Sequence, residues 1–154
     1  LEPHLQMRLK ITQQTREEDI PRVRDIYARA QVAADIAPFF NDLPSRIADA
    51  HLVVSRSGAG TVAELTAIGR PGILVPLPHA IDDHQTANAR ALADCGGGVL
   101  LRQSEMTVAA VHALLQELAG DATRLSAMAA AAFNAATPDA AARVSDCCEE
   151  LLYA

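Results

Sequence analysis

The stretch H-L-V-V-S-R-S-G-A-G-T-V-A-E-L, residues 51–65, decides the fold of this chain. It begins with a short apolar run of β-forming residues, passes through a turn containing Gly58 and Gly60, and continues from Thr61 with apolar residues at helical spacing. The free N–H groups and the positive dipole end of such a helix face the turn. Proteins commonly hold phosphates in this arrangement, so the stretch predicts an anion-binding site.

Strand-like and helix-like segments alternate on both sides of this stretch. Four other segments have the composition of strands: residues 7–13, 32–40, 72–75 and 99–101. Helical patterns connect them: a helix opened by a capping box at 15–18, then 43–50, 82–94 and everything from 107 onward. Repeated β-α units predict an α/β fold in which a parallel sheet carries helices on its faces and binds ligands at the carboxyl ends of its strands.

Composition excludes several functions. The chain has 154 residues, enough for one domain, and 50% of them are apolar but only 3% aromatic, which suits helices packed on a sheet. A net charge of -6 without a Lys/Arg cluster argues against nucleic-acid binding. Three cysteines lack the spacing of a disulfide framework or a zinc site. No apolar run is long enough to span a bilayer and no signal peptide is visible, so we expect a soluble cytoplasmic chain.

The glycine turn itself has three interpretations. Ser57, Gly58, Ala59, Gly60 and Thr61 can form an ordinary connection between a strand and a helix, or a cradle for a diphosphate. Residues 58–63 also match the dinucleotide fingerprint G-x-G-x-x-A, which predicts an NAD-binding oxidoreductase module. That fingerprint expects an acid at the end of the next strand, whereas residues 75–78 read V-P-L-P.

Glu64 stands three residues after Thr61, and its role is open. In T-x-x-E it can complete a capping box by accepting from the Thr61 N–H. Alternatively, a carboxylate one turn into a phosphate-binding helix is placed to accept hydrogen bonds from the vicinal hydroxyls of a ribose. Both interpretations put Glu64 beside the ligand.

A polar stretch follows the buried strand at 72–75. Residues 79–85 read H-A-I-D-D-H-Q, and Asn88 follows. The two histidines and two aspartates match no metal-ligand spacing that we can justify, so we expect no metal. Asp82 or Asp83 can simply cap a solvated helix. Gln85 and Asn88, three apart on one helix face, can instead hydrogen-bond the hydroxyls of a sugar.

The run S-R-S-G-A-G-T-V-A-E-L-T-A-I-G-R-P-G-I-L-V-P-L-P-H-A-I-D-D-H-Q-T-A-N-A, residues 55–89, strongly resembles the donor-binding domain of the MurG family of bacterial N-acetylglucosaminyltransferases. Residues 39–42, F-F-N-D, resemble the loop that contacts uracil in that family, and P-D-A at 138–140 resembles the start of its last helix. The matching segments cover nearly the whole chain, and the combined pattern is far more specific than any one piece.

The resemblance implies that residues 1–154 are a Rossmann-like UDP-GlcNAc-binding domain, the C-terminal half of a GT-B glycosyltransferase. It assigns uracil to the main chain at Phe40, the ribose hydroxyls to Glu64, and sugar hydroxyls to Gln85 and Asn88. The diphosphate and the near edge of the sugar fall to Ser57, Gly58, Ala59, Gly60 and Thr61. Arg56 adds positive charge near the phosphates or forms a salt bridge elsewhere on the surface. The family uses no metal or other cofactor.

The resemblance also implies a reaction. The family transfers GlcNAc with inversion to lipid I, forming lipid II for peptidoglycan, cell shape and cell division. Its general base and its contact with the cytoplasmic face of the inner membrane belong to an N-terminal acceptor domain, so we expect this chain alone to be inactive. The family's C-terminal half opens with a strand and a second glycine-rich loop, and we expect this chain to begin after them. His84 stands where some members carry glutamine, and Gly60 where some carry a larger residue. Alternatives are the NAD-binding module or the donor-binding subunit of a two-chain GlcNAc transferase.

Overall fold

The computed structural model describes residues 1–79 and 81–152, without the side chain of Ile81. Five short strands alternate with helices along the first two thirds of the chain, and three further helices follow. The strands are β1 (Lys10–Gln14), β2 (Ala33–Ala37), β3 (Val53–Ser55), β4 (Gly72–Leu74) and β5 (Gly98–Leu100). The α-helices are α1 (Pro3–Gln6), α2 (Ile20–Arg29), α3 (Leu43–Asp49), α4 (Ala59–Ile68), α5 (His84–Asp94), α6 (Val108–Ala119), α7 (Ala122–Asn134) and α8 (Ala140–Leu152).

All strand pairs among these residues are parallel, as the β-α alternation predicts. They form two sheets: β1 pairs with β2, with Thr12 opposite Asp35, and β3, β4 and β5 pair in that order, with Val54 opposite Ile73. The sequence predicts one parallel sheet, whereas no ladder within residues 1–79 and 81–152 joins the two-stranded sheet to the three-stranded one. Among the described residues, β1, β2, β3 and β5 are therefore all edge strands.

The core lies on both faces of β4, because successive side chains of a strand point to opposite sides. Leu74 packs with α3, α4, α5 and α7 in one buried cluster. Ile73 and Val75 pack on the other side with α6 and α7, around the fully buried Leu118. The prediction of a sheet with helices on both faces is therefore confirmed for the β3-β4-β5 sheet.

Several predicted helix starts are wrong by a few residues. The capping box at 15–18 does not form, because a 3-10 turn over Glu17–Asp19 comes first and α2 begins at Ile20, with Pro21 in its first turn. The helix predicted from 82 begins at His84, since Asp82 and Asp83 have φ of 50° and 51°. The observed strands also differ from the predicted ones by one to three residues at their ends.

The last helix, α8, contributes no residue to the buried clusters of the described chain. Its apolar side chains stay exposed: Val144 is 64% exposed and Leu151 81%. All three cysteines are free and exposed. Among the described residues, no helix is both long enough and apolar enough to cross a membrane.

Candidate functional site

The N-terminus of α4 opens at the carboxyl end of β3. Gly58 is the N-cap, with extended dihedrals (φ -61°, ψ 151°) and no side chain to cap the helix, and its carbonyl accepts from the Val62 N–H. The N–H groups of Ala59, Gly60 and Thr61 donate to no other group in the described chain. Three unpartnered N–H groups at the positive end of a ten-residue helix favour a bound anion.

Three of the predicted site residues are joined by hydrogen bonds. Ser57 is fully buried, and its hydroxyl donates to the main-chain carbonyl of Gln85 across 2.8 Å. The side-chain amide of Asn88 donates back to the main-chain carbonyl of Ser57 at 3.1 Å. The turn before α4 is thus attached to the first turns of α5, which holds the α4 N-terminus beside both amide side chains.

Gln85 and Asn88 each use one end of the side-chain amide within the described chain. The Gln85 Oε1 accepts from the Leu77 N–H at 2.9 Å, while the Asn88 Nδ2 is used on Ser57. Within the described residues this leaves the Gln85 amide nitrogen as a donor and the Asn88 amide oxygen as an acceptor. A sugar hydroxyl both donates and accepts, so these two groups are complementary to a pair of hydroxyls.

Glu64 lies in the second turn of α4 and is exposed. The capping-box interpretation is wrong, because the helix begins at Ala59 and Thr61 is already inside it. No hydrogen bond or ion pair joins the carboxylate to another residue of the described chain. It lies one turn after the unpartnered N–H groups of α4.

Neither glycine at the start of α4 is required by the chain's own packing. A Cβ on Gly60 meets no atom within 4 Å, and a Cβ on Gly58 only touches the Thr61 hydroxyl at 3.9 Å. Neither has a positive φ. The first turn of α4 is therefore bordered by open space in which a ligand can approach the backbone.

Phe40 belongs to a separate part of the candidate site. The whole residue is only 7% exposed, whereas Phe39 is 68% exposed, so Phe40 is buried while its neighbour faces solvent. No hydrogen bond connects Phe40 to the α4 turn within the described residues. The segment around Phe40 is connected to α4 through α3, because Ile47 of α3 and Leu65 of α4 belong to one buried cluster.

Arg56 was expected near the phosphates or in a surface salt bridge. It forms no salt bridge in the described chain: it donates to the carbonyls of Pro76 and Val75 at 3.1 and 3.3 Å, and to the Gln103 side chain at 2.8 Å. All three acceptors are neutral, so the positive charge remains uncompensated at the carboxyl end of β4. The guanidinium also fixes the segment that leads to Leu77.

Two features of the site were not found from sequence. Arg46 stacks on Phe40 and binds Asp42, and hydrogen bonding to Arg46 lowers the pKa of the Asp42 carboxyl below its usual value. The hydroxyl of Ser55, at the carboxyl end of β3, is buried without a hydrogen-bond partner among the described residues. The Asp42–Arg46 ion pair could have been predicted, because the two residues are four apart at the start of a predicted helix.

The polar stretch after β4 does not assemble a metal site. No group of three His, Cys, Asp or Glu side chains in the described part of the chain is close enough to hold a metal ion. Asp83 does occupy the N-cap position of α5, but its carboxylate accepts from the Thr86 hydroxyl at 2.6 Å and caps no backbone N–H. Ala80, within the same stretch, lies outside the described residues.

Comparison with known proteins identifies the chain. Residues 2–144 match the family model of the glycosyltransferase family 28 C-terminal domain. The UDP-N-acetylglucosamine--N-acetylmuramyl-(pentapeptide) pyrophosphoryl-undecaprenol N-acetylglucosamine transferase of Nitrobacter hamburgensis is 58% identical over 92% of this chain, and the Nitrobacter winogradskyi protein of that name is 55% identical over 95%. The chain spans only 38% and 40% of these relatives.

Solved structures agree with this assignment. The crystal structure of Acinetobacter baumannii MurG superimposes with a TM-score of 0.85 at 35% identity, over 92% of this chain and 41% of that one. Spinosyn forosaminyltransferase SpnP, at 18% identity and a TM-score of 0.54, covering 95% of this chain and 46% of that one, shares the fold alone. The fold is the Rossmann-like C-terminal half of a GT-B glycosyltransferase. The chain therefore belongs to the glycosyltransferase family 28 C-terminal domain family.

Proposed function

We propose that this chain binds UDP-GlcNAc as the donor-binding part of an inverting N-acetylglucosaminyltransferase that converts lipid I to lipid II. The observation that carries the proposal is the α4 N-terminus, whose three unpartnered N–H groups open beside the Gln85 and Asn88 amides. A diphosphate needs the first feature and a sugar the second. The relatives named above transfer N-acetylglucosamine to a pyrophosphoryl-undecaprenol acceptor.

Each part of the donor has a matching group. The first-turn N–H groups of α4 bind the diphosphate, with added positive charge from Arg56. Glu64, exposed and without a partner in the described chain, accepts from the ribose hydroxyls. The Gln85 amide nitrogen and the Asn88 amide oxygen bind sugar hydroxyls. The main chain at Phe40 binds uracil. The full set is Phe40, Ser57, Gly58, Ala59, Gly60, Thr61, Glu64, Gln85 and Asn88.

The reaction is a single displacement at C1 of GlcNAc. The 4-hydroxyl oxygen of the muramoyl group forms a bond to C1 as the bond from C1 to the diphosphate oxygen breaks, and that oxygen keeps the electron pair. Negative charge grows on the departing UDP, where the fixed N–H groups of α4 stabilise it better than the more dispersed charge of the bound donor. The hydroxyl proton passes to a general base. We assign that base to the N-terminal acceptor domain.

The acceptor and the membrane are likewise assigned to that domain. The acceptor named for the relatives carries an undecaprenol chain, which keeps it in a lipid bilayer. We propose that the whole enzyme acts as a peripheral protein at the cytoplasmic face of the inner membrane. α8 carries one Arg against one Asp and two Glu, so it does not favour an anionic membrane surface.

The family match removes the basis for the NAD-binding alternative, which rested on the G-x-G-x-x-A pattern alone. The end of β4 also carries no acid that could bind a ribose, because the residues there are Val75 and Pro76, both buried. The relatives hold the matching segment within one longer chain, which favours a one-chain enzyme over a donor-binding subunit with a separate partner.

Thermal unfolding of the 154-residue chain with and without UDP-GlcNAc tests the proposal. A ligand at 100 times its Kd adds about 2.7 kcal/mol of stability, which raises the Tm of a domain of this size by several degrees. We expect a rise with UDP-GlcNAc and none with NADH, and we expect Glu64→Ala to remove most of it. Glu150→Gln, which changes an exposed carboxylate on α8, is the matched control.

A Tm unmoved by UDP-GlcNAc and raised by NADH would overturn the proposal in favour of the dinucleotide module. A rise with UDP-GlcNAc that Glu64→Ala leaves intact would keep the donor and remove the assignment of Glu64 to the ribose.

A further inference from the structure

Arg46 joins three groups around a single connection of the fold. It lies on α3, and its Nε donates to the Asp42 carboxylate at 2.7 Å while its Nη1 donates to the Asp35 carboxylate at 2.6 Å. The centre of the guanidinium lies 4.0 Å from the ring centroid of Phe40, well within the range of a cation-π contact.

These three partners bracket the segment that connects β2 to α3, residues 38–42. Asp35 lies on β2 before the connection, Asp42 is its last residue, and Phe40 is at its middle. One side chain therefore connects β2, the middle of this segment and its last residue to α3. Its own helix is held in turn by Ile47, which is buried in the core.

Only arginine can make all three contacts at once. Its planar fork directs N–H groups along two edges while its face stacks on a ring, whereas the lysine ammonium is a single point charge. Arg46 is also more covered than a comparable arginine: its side chain is 28% exposed, whereas that of Arg29, which pairs with Asp25 at the same spacing, is 79% exposed. No ring contact to Arg29 is found in the described chain.

The segment held in this way contains the main-chain group that the proposed function assigns to uracil. The ring of Phe40 is buried under Arg46, and its main-chain N–H donates to no group of the described chain. An N–H fixed in place is a preorganised donor to a carbonyl oxygen of the base, and preorganisation raises affinity by removing the cost of ordering the loop on binding.

We propose that Arg46 is a positioning residue for base recognition: it holds the main chain at Phe40 in the conformation that binds the uracil of the nucleotide donor. The proposal rests on the proposed function, because it presumes that this segment meets a uridine nucleotide. Arg46 itself does not touch the ligand, and it acts through Phe40, Asp35 and Asp42.

Titration calorimetry of the 154-residue chain with UDP, ADP and inorganic pyrophosphate tests this role. We expect the wild-type chain to bind UDP more tightly than ADP. Arg46→Gln should lower the affinity for UDP about tenfold and leave the affinities for ADP and pyrophosphate within about twofold, so that base discrimination falls. Arg46→Lys should restore only part of the preference for UDP over ADP. A general loss of fold would instead lower the affinities for all three ligands together.

Two further variants control the result. Arg29→Gln removes an ion pair of the same spacing and should leave all three affinities unchanged. Phe40→Leu keeps an apolar side chain in the core but removes the ring face, so it should reproduce the loss of discrimination and decides the question if Arg46→Gln does not fold. Wild-type discrimination retained in folded Arg46→Gln, or in Phe40→Leu, overturns the role of Arg46. A wild-type chain that binds UDP no better than ADP overturns the proposed function itself.

Discussion

The Asn88 side-chain amide donates to the main-chain carbonyl of Ser57 across 3.1 Å, joining two residues that are 31 apart in sequence. Together with the bond from the Ser57 hydroxyl to the Gln85 carbonyl, it fixes the start of α5 against the turn that opens α4. The N–H groups at the start of α4, which suit an anion, and the amides of α5, which suit hydroxyls, are therefore held together as one connected unit.

This connection predicts coupled effects on stability. Ser57→Ala removes the hydroxyl that donates to the Gln85 carbonyl and should lower the free energy of unfolding by about 1 kcal/mol. Asn88→Ala should cost about 1 kcal/mol. Because both bonds involve Ser57, the double variant should depart from the sum by about 0.5 kcal/mol or more. Urea denaturation without ligand measures the cycle, and strict additivity would contradict the prediction.

Glu64→Gln should weaken nucleotide binding without changing stability, because the carboxylate is exposed and has no partner in the described chain. Hydrogen bonds to a charged group contribute about 1.5–3 kcal/mol, which corresponds to a loss of roughly 10-fold to 100-fold in affinity for UDP. Calorimetry with UDP and 2′-deoxy-UDP checks this. The wild-type chain should prefer UDP, and the variant should hardly distinguish the two. An unchanged preference would show that Glu64 does not contact the ribose.

Two glycine-to-alanine changes should have opposite effects on stability. Gly60→Ala places its Cβ in open space at the start of a helix and should raise the free energy of unfolding by about 0.5–1 kcal/mol. At Gly97 a Cβ would lie 2.7 Å from the Leu92 Cδ1 and 2.8 Å from the Ala132 Cα, so Gly97→Ala should cost about 1–3 kcal/mol. Thermal and urea unfolding of both variants gives the comparison, and equal effects would refute it.

The Asp42–Arg46 pair should make stability depend on pH. Hydrogen bonding to Arg46 lowers the pKa of Asp42 in the folded chain below its usual value of 3.8, so the ionised carboxylate favours the folded state. This stabilisation is fully present above that usual pKa and is lost as the pH falls through the lower folded value. Between pH 5 and about pH 2 the wild-type chain should therefore lose more stability than Asp42→Asn. Parallel curves for the two proteins would exclude the contribution.

Much of the fold was readable from local patterns. The buried run at 72–75 predicted β4, because a parallel strand covered by helices on both faces is apolar throughout. The alternation of strands and helices predicted parallel pairing, because two parallel strands must be joined by a crossover connection. Helix starts were less predictable. T-R-E-E at 15–18 and T-V-A-E at 61–64 both have capping-box spacing, yet neither forms one, since Pro21 and Gly58 set the helix starts instead.

For the candidate site, sequence reasoning identified residue types better than their partners. The spacing of Gln85 and Asn88 predicted that both amides lie on one helix face. It did not predict that each would bind a main-chain group of a neighbouring segment. Arg56 was expected near the phosphates or in a surface salt bridge; the salt bridge does not form in the described chain, where Arg56 donates to three neutral oxygens. Such bonds join residues far apart in sequence, and local propensity carries no information on them.

The sequence by itself determined the strand-turn-helix at 53–68 and the side chains available at its ligand-facing end, because backbone propensity, glycine content and hydrophobic period are local properties. Tertiary structure alone decided which of those groups remain available. It buries the Ser57 hydroxyl on a carbonyl of α5, turns the Phe40 ring inward under Arg46, and leaves Glu64 and the first N–H groups of α4 without partners in the described chain. Availability depends on what packs alongside, which is a property of the folded chain.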